Sequence, residues 1–187
     1  MFYNLGRITQ DTRFLVTNML LLNPYITDFL SDKFVQNGKT YYRYFPTICD
    51  KQYLLSAGIL FGLFYNYWDQ VGDILAKVFL PDLPEKEIYF GKVIDIFPSN
   101  YFASKNYLWL QDFKTNHYGP LNSKRKRIVH YNSIESDYFE KYQDLFGDTL
   151  ELEKLQKEKE ELADYFLKHH DFALKGFEYM TNLISEK

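Results

Sequence analysis

Lys124-Arg125-Lys126-Arg127 places four positive charges in a row, and His130 follows three residues later. The remaining arginines are the scattered Arg7, Arg13 and Arg43, so two of the five guanidinium groups fall within five residues of a histidine in this one segment. An anion is the natural guest there. A guanidinium can clamp a phosphate through two parallel N–H donors, and an imidazole can give or take a proton near neutral pH. Metal-free cleavage of an RNA phosphodiester asks for this pair of abilities: cationic stabilisation of the pentavalent transition state and proton transfer at the attacking and leaving oxygens.

Gly119-Pro120 and Asn122-Ser123 precede the charges and read as a loop, His117 to Pro120, running into a helix N-cap. Unpaired backbone N–H groups at such a helix start favour phosphate. Asn122, Ser123, Lys124 and Lys126 are therefore the expected substrate-binding residues, with Arg125 and His130 as the chemical pair. Helical geometry constrains the pair, because positions five apart on an ideal helix lie about 140° apart. Lys126 and Arg127 share a face with His130, which makes Arg127 a further candidate. Arg125 converges on the imidazole in one chain only from the first helical turn or before it; otherwise a partner molecule completes the site.

In this segment the sequence resembles the HEPN superfamily. Arg125, four intervening residues and His130, approached through Ile128-Val129 and followed by Tyr131-Asn132, are similar to its Arg-x-x-x-x-His signature. The resemblance implies an all-α bundle with a four- or five-helix core over residues 50–184. Residues 1–50 would be an N-terminal helical elaboration within a single domain, 1–187. It also implies a homodimer with two motifs facing one cleft, acting as a metal-independent RNase or as an inactive relative, in a toxin-antitoxin or phage-defence setting with a neutralising antitoxin protein as partner. By the same analogy Arg125 holds the scissile phosphate, His130 serves proton transfer, and Asp69 is the candidate for an acidic residue that supports them from an earlier helix. Lys126 departs from the small polar residue common after the arginine. Two other readings fit the residues as well: a non-catalytic module binding RNA, nucleotide or an acidic protein, and a scaffold.

The elements that must position these groups are mostly helices. Apolar recurrence predicts a helix over Thr12–Leu22, interrupted by Pro24 and followed by a second short helical pattern to about Phe34. Asn37-Gly38, between Phe34-Val35 and Thr40-Tyr41-Tyr42, is a two-residue hairpin signal. Residues 51–80 form the first long helix, ended by Pro81 and Pro84. Along it Gly58, Gly62, Tyr65, Asp69, Gly72 and Ala76 trace one small-residue face, which predicts a close backbone approach, within the chain or at a dimer interface. Further helices are expected over Glu85–Phe97 and Ser104–Lys114, then a tyrosine-bearing stretch from Ile134 to Phe146. One uninterrupted helix is expected from Thr149 to about Ile184, with the run Glu151–Glu161 as its solvated half.

Composition narrows the classes. A net charge of -3 rules out a whole-molecule field that gathers nucleic acid, so any basic site must be local. The 17 Tyr and 17 Phe, spread over the chain, predict a thick aromatic core. Cys49 is the single cysteine, has no metal-site spacing, and reads as a buried thiol in a reducing compartment. His169 falls on the apolar seam of the last helix and reads as a core histidine. No cofactor and no metal are expected, since neither a phosphate-cradling glycine loop nor an HExxH or CxxC pattern is present. The start lacks the features of a signal peptide. The uncharged stretch between Lys51 and Asp69 is shorter than the roughly 20 apolar residues of a spanning helix, so the chain reads as cytoplasmic, away from the membrane.

Overall fold

The structure, a computed structural model, describes residues 2–130 and 133–187, with the side chains of residues 129 and 130 excepted. Tyr131 and Asn132, which follow the basic segment, lie outside the described residues. The fold is all-α with one small antiparallel hairpin. Its helices are α1 (Phe2–Leu22), α2 (Ile48–Phe79), α3 (Phe90–Asp95), α4 (Lys105–Phe113), α5 (Gly119–His130), α6 (Ile134–Asp144), α7 (Thr149–Glu160) and α8 (Leu162–Ser185). No helix among the described residues is long and apolar enough to cross a membrane.

Contacts divide the chain into two units. The first comprises residues 1–13, 61–126 and 168–187, and the second residues 14–60 and 127–167. Trp68 anchors the first unit: it is fully buried, stacks on Phe113 at 3.9 Å and packs against Phe90 at 5.0 Å. The expected aromatic core is thus present, each fully buried ring contributing about 1.5–3 kcal/mol of transfer free energy. His169, 3% exposed, sits edge-on to Phe172 as a core histidine. His170 lies 3.2 Å, through Nδ1, from the Thr12 hydroxyl.

The second unit holds the hairpin. Its strands β1 (Asp32–Gln36) and β2 (Lys39–Arg43) pair so that Gln36 faces Lys39 across Asn37-Gly38. Both turn residues have positive φ, 51° and 73°, as a two-residue turn of matching twist requires. The short helical pattern expected up to Phe34 is not found. A single 3₁₀ turn, Asn23–Tyr25, ends α1, and residues 32–36 already belong to the hairpin because pairing across the turn outcompetes a helix begun at a proline.

Two other expected helices are broken. Glu85–Phe97 divides into a 3₁₀ turn, Glu85–Glu87, and α3, with Ile88 and Tyr89 extended between them. The long C-terminal helix divides at Glu161. There the Tyr53 hydroxyl enters the helical ladder, donating to the Lys159 carbonyl at 3.0 Å and accepting from the Ala163 N–H at 3.2 Å. A side chain inserted between an i and i+4 pair is a recognised cause of a helix kink.

The run Glu151–Glu161 is not a solvated face throughout. Lys159 is fully buried, donates to the equally buried Asp50 at 3.1 Å and lies 4.4 Å from the Phe29 ring centroid. Asp50 also accepts from the backbone and hydroxyl of both Thr27 and Thr47. Burial alone would raise its carboxyl, but these hydrogen bonds and the Lys159 charge hold it at about 2. Cys49 is half-buried, not sealed in the core.

Candidate functional site

The basic segment sits late in a helical run that does not open where a loop was expected. Residues 114–118 form a π-helical turn between α4 and α5, and the Gly119 N–H bonds to the Lys114 carbonyl, five residues back. Pro120 explains the widening. It has no N–H to give, and in a regular helix its ring would press on the carbonyl of Asn116. One inserted residue relieves that conflict without ending the helix.

This corrects the expected N-cap at Asn122-Ser123. Both residues lie inside α5, so the N–H groups around Arg125 belong to the helical ladder instead of forming an open anion-binding start. Arg125 lies beyond the first turn of α5, and with positions 125 and 130 on one helix their directions differ by about 140°.

Arg125 is half-buried in the first unit, and its guanidinium carbon lies 4.4 Å from the centroid of the Tyr65 ring, over the face. A cation over an aromatic face is attracted by the ring quadrupole. Its Nε is shut off from solvent without a hydrogen-bond partner, as is Asn122 Oδ1 three residues earlier on the same helix. Among the described residues Arg125 forms no ion pair with a carboxylate, whereas Arg127, in the second unit, is paired with Asp137. Ser123, Lys124 and Lys126 are exposed. The His130 side chain lies outside the described residues.

Asp69 stands close enough for Arg125 to act on it. Burial raises its carboxyl, while hydrogen bonds from Tyr65, the Phe90 N–H and Tyr118, and the charge of Arg125, pull the other way. The net effect is upward. The Tyr118 hydroxyl donates to Asp69 Oδ1 at 3.2 Å and the Phe90 N–H at 3.4 Å. Gly72 makes the second bond attainable. A Cβ at that position would lie 2.7 Å from the backbone N and Cα of Phe90, so the start of α3 can approach α2 only across a glycine. The small-residue face of α2 thus serves a close approach at Gly72, while a Cβ at Gly62 would meet nothing within 4 Å.

Asp69 also lines an open cleft of about 480 Å³ shared with Asp11, Asp73, Glu85 and Arg7. Its acidic lining is the wrong sign for a phosphate. Among the described residues no group of three or more His, Cys, Asp or Glu is arranged to hold a metal ion.

The structure therefore brings Arg125 close to Asp69 in the first unit, with Asn122 three residues before Arg125 on the same helix, and pairs Arg127 with Asp137. Tyr65 and Tyr118, which pack beside Arg125 and Asp69, were not among the expected residues. Tyr65 had a signal, since it stands one helical turn before Asp69 on the small-residue face. Tyr118 had none while residues 117–120 read as a loop.

A family model described as Cthe2314-like HEPN matches residues 17–181. Neither the curated proteins nor the solved structures give a match.

Proposed function

The chain belongs to the HEPN family, and from that premise we propose that it is a metal-independent endoribonuclease acting on single-stranded RNA as a homodimer. The observation that carries the reading is Arg125: a half-buried guanidinium, held over Tyr65, whose charge is not spent on a carboxylate ion pair among the described residues. Arg125 would grip the scissile phosphate, and Lys124, Lys126, Asn122 and Ser123 would follow the RNA nearby. His130 would move the proton. The 2′-hydroxyl loses its proton as its oxygen bonds to phosphorus, and the bond from phosphorus to the 5′-oxygen breaks as that oxygen gains one. The products are a 2′,3′-cyclic phosphate and a 5′-hydroxyl. We place the activity in a toxin-antitoxin or phage-defence setting, where a neutralising protein would keep such an RNase silent.

A second reading has its own observation. Positions 125 and 130 belong to one helix, about 140° apart around an ideal one, and on that spacing a chain acting alone would bind RNA or nucleotide through its basic residues without cutting it. Incubating the protein with RNA in excess EDTA separates the two. Cleavage that persists in EDTA and falls at least about 100-fold in His130→Ala, the usual scale of general acid–base catalysis, supports the enzyme. No cleavage, with salt-sensitive binding that Arg125→Ala removes, supports the binding module.

A further inference from the structure

The clamp reading leaves open what holds Arg125 in place, and the first unit supplies a built answer. Arg125 has a long side chain with many rotamers, so an unsupported guanidinium would have to be ordered each time it met a phosphate. Here one face is covered by the Tyr65 ring at 4.4 Å and Nε is sealed from solvent. Tyr65 is itself fixed: its ring stacks on Tyr118 at 6.2 Å with planes 18° apart. Tyr118 in turn is tied through its hydroxyl to Asp69, which is pinned by the Phe90 N–H.

We infer that Tyr65 is a positioning residue for Arg125, its ring serving as a platform that Tyr118 and Asp69 hold in register, so that the Nη end of the guanidinium is presented ready-aimed to an RNA phosphate. The inference rests on the clamp reading above and assigns Tyr65 a role through Arg125, not on RNA directly. Its chain of support passes through the π turn, whose last residue is Tyr118. The platform acts through its face, so a phenyl ring replaces it and an aliphatic side chain does not.

Two measurements on the 187-residue chain test this in the His130→Ala background, which removes turnover. The first needs no RNA. The Arg125 Nε–H resonance in a ¹⁵N spectrum, assigned by its loss in Arg125→Lys, is expected to be shifted by the Tyr65 ring current and slow to exchange. Tyr65→Phe keeps both properties, and Tyr65→Leu loses both. The second is binding of a fluorescently labelled oligouridylate. Tyr65→Leu is expected to raise Kd about fivefold, Tyr65→Phe to stay within about twofold, and Arg125→Ala to exceed both. An Arg125 signal indifferent to Tyr65→Leu overturns the platform. A weakened Arg125→Ala beside an unchanged Tyr65→Leu, with thermal melting confirming that Tyr65→Leu folds, overturns it too and leaves the clamp standing. Unchanged affinity in Arg125→Ala overturns the clamp, and the platform's role in binding with it.

Discussion

His169 shows how strongly this interior selects a protonation state. Burial chiefly, with the charges of His117, Lys168 and Lys124 adding to it, lowers its pKa from 6.5 to about 3. Between those values the unfolded chain takes up a proton that the folded chain refuses, so stability falls as pH drops below about 6.5 and this loss levels off near 3. The slope for one such group approaches about 1.4 kcal/mol per pH unit. Asp50 acts on a lower leg. Its folded pKa is depressed to about 2 from 3.8, so the stability it contributes is complete above 3.8 and is lost as pH falls through about 2. Urea midpoints taken from pH 7 to pH 4 should decline in wild type and much less in His169→Phe, whose ring suits a pocket already bounded by Phe64, Phe113 and Phe172. Equal declines in the two proteins would show that another group carries the acid sensitivity.

Elements in this protein are shaped by single side chains set against their regular geometry. Tyr53 parts α7 from α8 by occupying a ladder hydrogen bond, Pro120 widens the turn before α5, and Gly72 admits the start of α3. Glycine costs the same backbone entropy wherever it stands in a helix, so Gly62 and Gly72, two of the three α2 glycines, should answer alanine in opposite directions. Gly72→Ala drives a Cβ into the Phe90 backbone and is expected to lose about 2–3 kcal/mol. Gly62→Ala meets open space and is expected to gain about 0.5–1 kcal/mol. Denaturant unfolding with unchanged m-values would check both. Similar losses at the two sites would place Gly62 in an interface between copies, where a methyl group also intrudes.

The proposed catalysis becomes a question about the whole assembly, because positions 125 and 130 belong to one α5 and lie about 140° apart around an ideal helix. If each site draws its arginine from one copy and its histidine from the other, two dead variants should rescue each other. Mixing Arg125→Ala with His130→Ala, after unfolding and refolding together, makes about half the dimers mixed, each with one intact site. About a quarter of wild-type RNase activity is then expected. A mixture as inactive as its parts would mean that Arg125 and His130 work within one chain, or not together. Sedimentation of the same samples tests the dimer itself.

The all-helical class, the hairpin at Asn37-Gly38, α2 and α4 were legible in the sequence because periodicity, turn chemistry and prolines act locally, and the HEPN resemblance around Arg125–His130 agrees with the family match. The small-residue face of α2 was legible as a place of close approach, but not which glycine serves it, since that depends on where α3 lands. The splitting of the last helix and the burial of Lys159 were not legible. A lysine in a charged run belongs in water unless a distant Asp50 and the carbonyl of Thr27 meet it, and a helical ladder runs on unless a distant Tyr53 enters it. The setting of Arg125 was decided in the same way. Sequence alone determined that the chain carries a local cationic segment; tertiary structure decided which of its charges is paired and which is held over a ring. Pairing depends on neighbours drawn from far along the chain, and local spacing does not encode them.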